Sequence, residues 1–267
     1  MILHLAAGTG KSFAGCFMDS VVATRNLLDA AVGEKGLKRF LSVSSLAVHS
    51  GFRIRKGGLL DETSPIERNH ISRFDPYAFG KIKQDELVAS FGRTHGLPYV
   101  IIRPGIIYGP GKRMIPGRLG IDTFGVFLHL GGMNRLPLIY IDNCAEAVVT
   151  AGIVAGVDGQ VLIALDDELP RSRDFLRELK NNTGHFRSLK LPYGVFYRLN
   201  RMWEAYSRFS EGQLPPLFNR RQCASYYQPQ RYSNSKLKEM TGWEPRVPFA
   251  EASRRYFEFM RNGASKR

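Results

Sequence analysis

The chain has 267 residues, 43% of them hydrophobic and 23% charged, with a formal net charge of +14. That length holds one large domain or two small ones, and that apolar fraction excludes disordered and collagen-like chains. No run of about 18 uncharged apolar residues occurs, so no membrane span is expected, and Met1–Leu5 lacks the basic flank of a signal peptide.

The first predicted element is a strand at Ile2-Leu3-His4-Leu5-Ala6-Ala7, a short apolar run without alternation, as in a parallel strand buried on both faces. Gly8-Thr9-Gly10-Lys11-Ser12 follows. A phosphate-binding loop would need glycine where Leu5 stands, and a dinucleotide fingerprint would need it at Phe13. Both templates fail, and a flexible loop with no helix beginning at Ser12 is expected. A helix is predicted over 21–31 and a second strand over 40–45. A long polar loop then runs over about 49–75, with Gly57-Gly58 and Ser64-Pro65 as breakers.

Asp75-Pro76 reads as the cap and first position of a helix carrying Tyr77, Lys81, Leu87 and Val88. Pro98–Arg103 is a third buried strand. Leu138–Ile141 leads into a helix over 143–151, with Asp142 as its cap and Cys144 as a small core residue. Val161–Ala164 is one more strand. Strands alternating with helices point to an α/β fold with a parallel sheet, and the tail beyond about 170 reads as a mostly helical subdomain.

The charge belongs to that tail. Residues 1–170 hold 18 Lys+Arg and 16 Asp+Glu, whereas residues 171–267 hold 20 and 8, a net of +12. Such a field attracts phosphates or anionic headgroups. No zinc finger, RNP-type aromatic motif or basic zipper occurs, so nucleic acid is not the expected partner. Leu189–Phe209 mixes Tyr193, Phe196, Met202, Trp203 and Tyr206 with Arg198, Arg201 and Arg208. Its spacing reads first as a core-facing stripe and only second as a membrane-surface helix. Cys16, Cys144 and Cys223 are odd in number and widely spaced, which argues for a reducing compartment rather than a disulfide scaffold. The six histidines show no ligand spacing, so no metal site is expected.

Chemistry concentrates at Tyr77-Ala78-Phe79-Gly80-Lys81, which sets a phenol and an ammonium on one helix face. Tyrosine is a poor base at neutral pH, and a nearby lysine favours its phenolate. Ser44 and Ser45 end a parallel strand, where open α/β sheets place their ligand crevice. A serine hydroxyl there would hold a substrate oxygen while the tyrosine moves its proton. Arg103-Pro104-Gly105-Ile106-Ile107-Tyr108-Gly109-Pro110-Gly111 follows at the next strand end.

Six ordered pieces then carry a resemblance: His4–Ala7, Ala23–Leu28, Ser44–Val48, Asp61–Pro65, Tyr77-x3-Lys81 and Arg103–Pro110. Tyr232–Leu237 with Gly242–Pro245 adds a closing segment. In these the sequence resembles the extended short-chain dehydrogenases/reductases, the NAD-dependent epimerase/dehydratase family. The resemblance implies an incomplete Rossmann-type, doubly wound parallel sheet with a small, mostly helical C-terminal substrate subdomain. Residues 1–170 would form the partial NAD(P)-binding domain, and residues 171–267 the basic substrate side, interleaved with it.

It further implies Ser45, Tyr77 and Lys81 as catalytic residues. Tyr77 would be the general acid/base, and Lys81 would hold the nicotinamide ribose and depress the tyrosine's pKa. Leu5, Ala6 and Ala7 would meet the NAD or NADP cofactor through backbone, beside Ser44, Pro104 and Gly105. The implied reaction is an epimerase, dehydratase or reductase step on a small molecule, a nucleotide-sugar first. The rivals are a 3β-hydroxysteroid- or flavanonol-type dehydrogenase and a non-catalytic interaction remnant. A cytoplasmic homodimer is the family-based expectation. Set against the family, the Gly-rich first βαβ half would precede residue 1, so weak cofactor binding and low turnover are expected of this chain. Ser20 stands where the family usually has asparagine, Gly80 where it has serine, and Ile106 where nucleotide-sugar members often carry asparagine.

Overall fold

Phe40–Val43 and Tyr99–Pro104 lack polar alternation, so both faces of these strands need cover. The computed structural model describes residues 1–10, 12–111, 117–123, 125–184, 186–211, 213–214 and 218–264; Lys11 and His185 lie outside them. In chain order the strands are β1 (Ile2–His4), β2 (Phe40–Val43), β3 (Leu59–Leu60), β4 (Tyr99–Pro104), β5 (Ile106–Tyr108), β6 (Gly120–Thr123), β7 (Val126–His129), β8 (Leu138–Tyr140), β9 (Gln160–Ala164), β10 (Ser188–Lys190) and β11 (Arg231–Tyr232). The helices are α1 (Phe13–Cys16), α2 (Ala23–Val32), α3 (His70–Arg73), α4 (Pro76–His95), α5 (Ile141–Ile153), α6 (Ser172–Thr183), α7 (Tyr193–Phe209), α8 (Arg220–Tyr227), α9 (Ser235–Thr241) and α10 (Phe249–Ala264).

The main sheet is parallel, in the order β1-β2-β4-β9. Its register sets Leu41 beside Val100 and Ser42 beside Ile101, so paired residues share a face. Leu41, Val100, Ile102 and Leu162 pack on one side with Ala147, Val148 and Ala151 of α5 and with Leu237 and Trp243. Phe40 and Ile101 pack on the other with Leu28 of α2 and Val88 and Phe91 of α4. Helices on both faces make the expected Rossmann-like three-layer α/β arrangement.

Beyond this sheet, β5 pairs with β8 and β3 with β11, both parallel. A three-stranded sheet runs β10-β7-β6. β10 and β11 lie beyond residue 170 yet pair with strands before it, so the two parts of the chain interleave. Among the described residues no helix is long and apolar enough to cross a membrane.

Three local expectations need correction. A helix does begin at Ser12: its side chain accepts the Gly15 amide as an N-cap, and α1 runs through a π turn over Phe17–Val22 into α2. Asp142 does not cap α5; Tyr140 is the N-cap and Asp142 lies in the first turn. The buried Asp166 carboxylate takes the Tyr140 amide and the Asn143 side chain instead, and burial pushes it up to about 6. Residues 49–75 are not structureless, since they include β3, α3 and a 3-10 turn at Gly51–Arg53. The cap at Asp75 is as expected, with its carboxylate accepting the Ala78 amide and Pro76 at the first position.

Candidate active site

β2 ends at Val43, and the chain leaves the sheet through Ser44 and Ser45 into a 3-10 turn. Ser45 caps that turn by accepting the Ala47 amide at 3.2 Å, which leaves its own proton to donate. That hydroxyl acts on the Tyr77 phenol, on the first turn of α4, by favouring its ionised form. The Asp75 cap and Pro76 fix where α4 starts, and so where Tyr77 meets Ser45.

Lys81 lies one turn on and is buried. Its ammonium donates to the Val43 carbonyl at 2.5 Å and to Gln84 Oε1 at 2.9 Å. Burial lowers it to about 8, against a smaller upward pull from Asp85. Gln84 Nε2 in turn lies 2.8 Å from Thr24 Oγ1 and 2.8 Å from His4 Nε2. Arg73, also buried, donates to the carbonyls of Ala47 and His49 and pairs with Asp75 at 3.0 Å, holding the serine turn against α4.

The pKa expectation for Tyr77 is reversed. Burial holds the phenol above its ordinary value, the Ser45 hydroxyl pulls it down, and the Asp75 and Asp85 carboxylates push it up. Lys81 has turned to Val43 and Gln84, so its charge is compensated by oxygens at the strand end.

Behind these groups sits a buried polar unit. Arg103 of β4 gives two N–H groups to Asp85 Oδ2, at 3.0 and 3.1 Å, and its Nη1 lies 3.3 Å from His49 Nε2. Arginine has no acceptor, so Nε2 must accept and Nδ1 must carry the imidazole proton, which it donates to the Ser64 carbonyl at 3.1 Å. Burial first, and Arg103 second, lower His49 to about 3. Burial raises Asp85 despite its arginine.

The remaining sequence candidates lie around the same edge. Leu5 is 62% exposed where the chain leaves β1, and the Ala6 carbonyl takes a long 3.4 Å bond from Gln84. Ser44 is buried, and its amide continues the ladder to Ile102. Pro104 ends β4, and the Gly105 amide bonds the Ala164 carbonyl. A Cβ on Gly105 would lie 2.3 Å from the Pro137 carbonyl oxygen and 2.4 Å from Leu165, so glycine is needed here for packing. Ser20 accepts the Gly8 amide at 2.9 Å, and a Cβ on Gly80 would sit 3.1 Å from its hydroxyl. Glycine before the lysine thus lets α4 approach the π turn closely. Ile106 packs beside the core of Tyr108, Leu138 and Phe175.

The donor set of this edge fits the expected dinucleotide. Among the described residues Lys81 uses two of its three protons on protein oxygens, leaving one for a ligand hydroxyl. The parallel strands β1, β2 and β4 bring Leu5–Ala7, Ser44–Ser45 and Pro104–Gly105 out at one edge of the sheet. Past the end of β9 lies a cavity of about 510 Å³ lined by Arg135, Asp167, Glu168, Arg231, Tyr232 and Phe249, among others. Sequence reasoning missed Gln84, Arg73 and this cavity. Gln84 stands three residues after Lys81 on the same helix face, and that spacing is the one signal that was available.

Comparison with known proteins places the chain among relatives. The model of the NAD dependent epimerase/dehydratase family matches residues 1–160. The chain is 28% identical over 255 residues to 3beta-hydroxysteroid-dehydrogenase/decarboxylase isoform 2 of Arabidopsis thaliana, covering 88% of this chain and 43% of that protein. It is 28% identical over 163 residues to UDP-glucose 4-epimerase of Vibrio cholerae, covering 60% of this chain and 48% of that protein. The chain thus spans about half the length of these curated relatives. In fold it resembles the crystal structure of UDP-glucuronic acid 4-epimerase from Bacillus cereus in complex with NAD. The TM-score there is 0.69 at 19% identity, over 98% of this chain and 74% of that one.

Proposed function

The chain belongs to the NAD dependent epimerase/dehydratase family, and from that premise we propose an NAD(P)-dependent enzyme of the extended short-chain dehydrogenase/reductase type, in which Tyr77 moves a proton at a substrate hydroxyl or carbonyl. The placement of Ser45 at the end of a parallel strand, its hydroxyl favouring the phenolate of Tyr77 in the first turn of α4, supports this reading. NAD or NADP, when bound, supplies the hydride chemistry. Lys81 would hold ribose hydroxyls with its remaining proton. Leu5, Ala6, Ala7, Ser44, Pro104 and Gly105 would line the cofactor's approach.

Burial keeps the Tyr77 phenol protonated at neutral pH, so it is set to donate to a carbonyl oxygen. As a base it needs its phenolate stabilised, and the Ser45 hydroxyl acts in that direction. Ser45 would also hold the substrate oxygen, and Gln84 and Val43 keep Lys81 in place beneath it.

For the substrate we favour a nucleotide-sugar, with the basic residues 171–267 forming its side of the site. The net charge of +12 on residues 171–267 supports an anionic ligand, whereas at the cavity beyond β9 Arg135 and Arg231 are balanced by Asp167 and Glu168. A 3β-hydroxysteroid is the second reading, favoured by the Arabidopsis relative, whose similarity extends over 88% of this chain rather than 60%. The free, buried Cys16, Cys144 and Cys223 support a reducing, cytoplasmic setting. A homodimer is supported by the exposed Phe17, Met18 and Ile71 near α4.

The test is turnover with NAD and NADP against UDP-, GDP- and dTDP-sugars and 3β-hydroxysteroids. One class should react, and Tyr77→Phe should lower kcat by about 10²–10⁴. A Tyr77→Phe variant with wild-type turnover would overturn the role given to Tyr77. Reaction of the steroids alone would replace the first substrate reading by the second.

A further inference from the structure

We propose that the outer face of α7 is a docking surface for an anionic lipid membrane. This helix has three faces. Phe196, Asn200 and Ser207 are buried, and Phe196 packs with Leu130, Cys223 and Tyr227. A third of a turn away, Val195, Leu199, Met202, Tyr206 and Phe209 are all exposed, Met202 at 68% and Phe209 at 84%. At 100° per residue these five fall within an arc of about 80°, an unbroken apolar stripe along the full helix. Arg198, Arg201 and Arg208 are exposed and occupy the shoulder beyond it.

Charge identifies the occupant. Among the described residues no acidic side chain pairs with Arg198, Arg201 or Arg208. The one acid within the helix, Glu204, turns away and binds Arg220 at 2.7 Å. Among the described residues of α7, the charged side chains beside the stripe are therefore these three cations, in the part of the chain that carries +12. A protein partner would need an apolar face bordered by unpaired acids. An anionic bilayer supplies both features at once, an acyl boundary for Leu199, Met202 and Phe209 and headgroups for the arginines, whose long stems reach sideways. Exposed Leu189 and Lys190, just before the helix, extend the same chemistry. The contact is in the plane of the interface.

The experiment is co-sedimentation of the full chain with large vesicles of phosphatidylcholine, with and without phosphatidylserine. Binding is expected to the mixed vesicles, to weaken with added salt, and to be much lower on pure phosphatidylcholine. Replacing Arg198, Arg201 and Arg208 together by glutamine should weaken it roughly a hundred-fold, at about tenfold or less per charge. Leu199→Glu with Met202→Glu should abolish it, while circular dichroism and thermal unfolding stay unchanged because these side chains are exposed. The proposal fails if wild type does not bind mixed vesicles, or if either set of substitutions leaves binding intact. A dimer in light scattering that the Leu199→Glu, Met202→Glu variant dissociates, with no vesicle binding by wild type, would assign the face to a second copy instead.

Discussion

Two sets of arginines in this chain meet opposite fates. Arg39, Arg73 and Arg103 are at most 6% exposed, and each holds a carboxylate: Asp158, Asp75 and Asp85. Arg198, Arg201 and Arg208 stand in solvent with no acidic partner among the described residues. Before residue 170, where the charge is nearly balanced, three arginines are thus tied to carboxylates around the sheet. The excess after it is charge left available to a ligand or a surface. The same guanidinium is a structural tie in one region and a point of contact in the other, and burial is what separates them.

The largest expected break of this contrast is Asp85→Ala. It leaves Arg103 buried without its carboxylate and should cost about 3–5 kcal/mol of stability, read as a lower urea midpoint. A loss under about 1 kcal/mol would mean that Arg103 gains water and is not locked at all.

A smaller effect tests the imidazole beside that pair. The folded pKa of His49, about 3, lies below its ordinary 6.5, so the unfolded chain binds more protons between those values. This contribution to stability is whole above pH 6.5 and is lost as pH falls toward 3, at up to about 1.4 kcal/mol per pH unit. Urea unfolding at pH 6.5 and 5 should show a steeper loss for wild type than for His49→Gln. Equal slopes would place the His49 proton on a group that stays solvated. The smallest effect belongs to the exposed set: Arg198→Gln with Arg201→Gln should change stability by less than about 0.5 kcal/mol. A larger loss would show that these arginines are structural after all.

How far the sequence could be read follows the same division. The apolar runs at Phe40–Val43 and Tyr99–Pro104, and the Asp75-Pro76 signal, depend on nearest neighbours and were legible. So was the placement of Tyr77 and Lys81 four residues apart on α4, although Lys81 turns to Val43 and Gln84. The helix start at Ser12 is less legible, because the glycine-rich Gly8-Thr9-Gly10 matches no complete loop template and only the capping serine marks the start. The outer face of α7 is not distinguishable from core in the sequence, because spacing shows that a stripe exists without showing which of two stripes is covered.

By itself, then, the sequence determined the alternating α/β order, the family's ordered segments and the candidate trio Ser45, Tyr77 and Lys81. Only the tertiary structure decided what surrounds them. It set Gln84 and Val43 on the ammonium, Arg73 on the serine turn, and Asp85 between Lys81 and Arg103. It also raised the Tyr77 pKa where the Tyr-x3-Lys spacing alone called for a lowered one. Local rules act through a few neighbouring residues along the chain. Loss of water, and the partners a buried charge finds in its place, depend on residues dozens of positions apart, as with Val43 and Lys81 or Ala47 and Arg73.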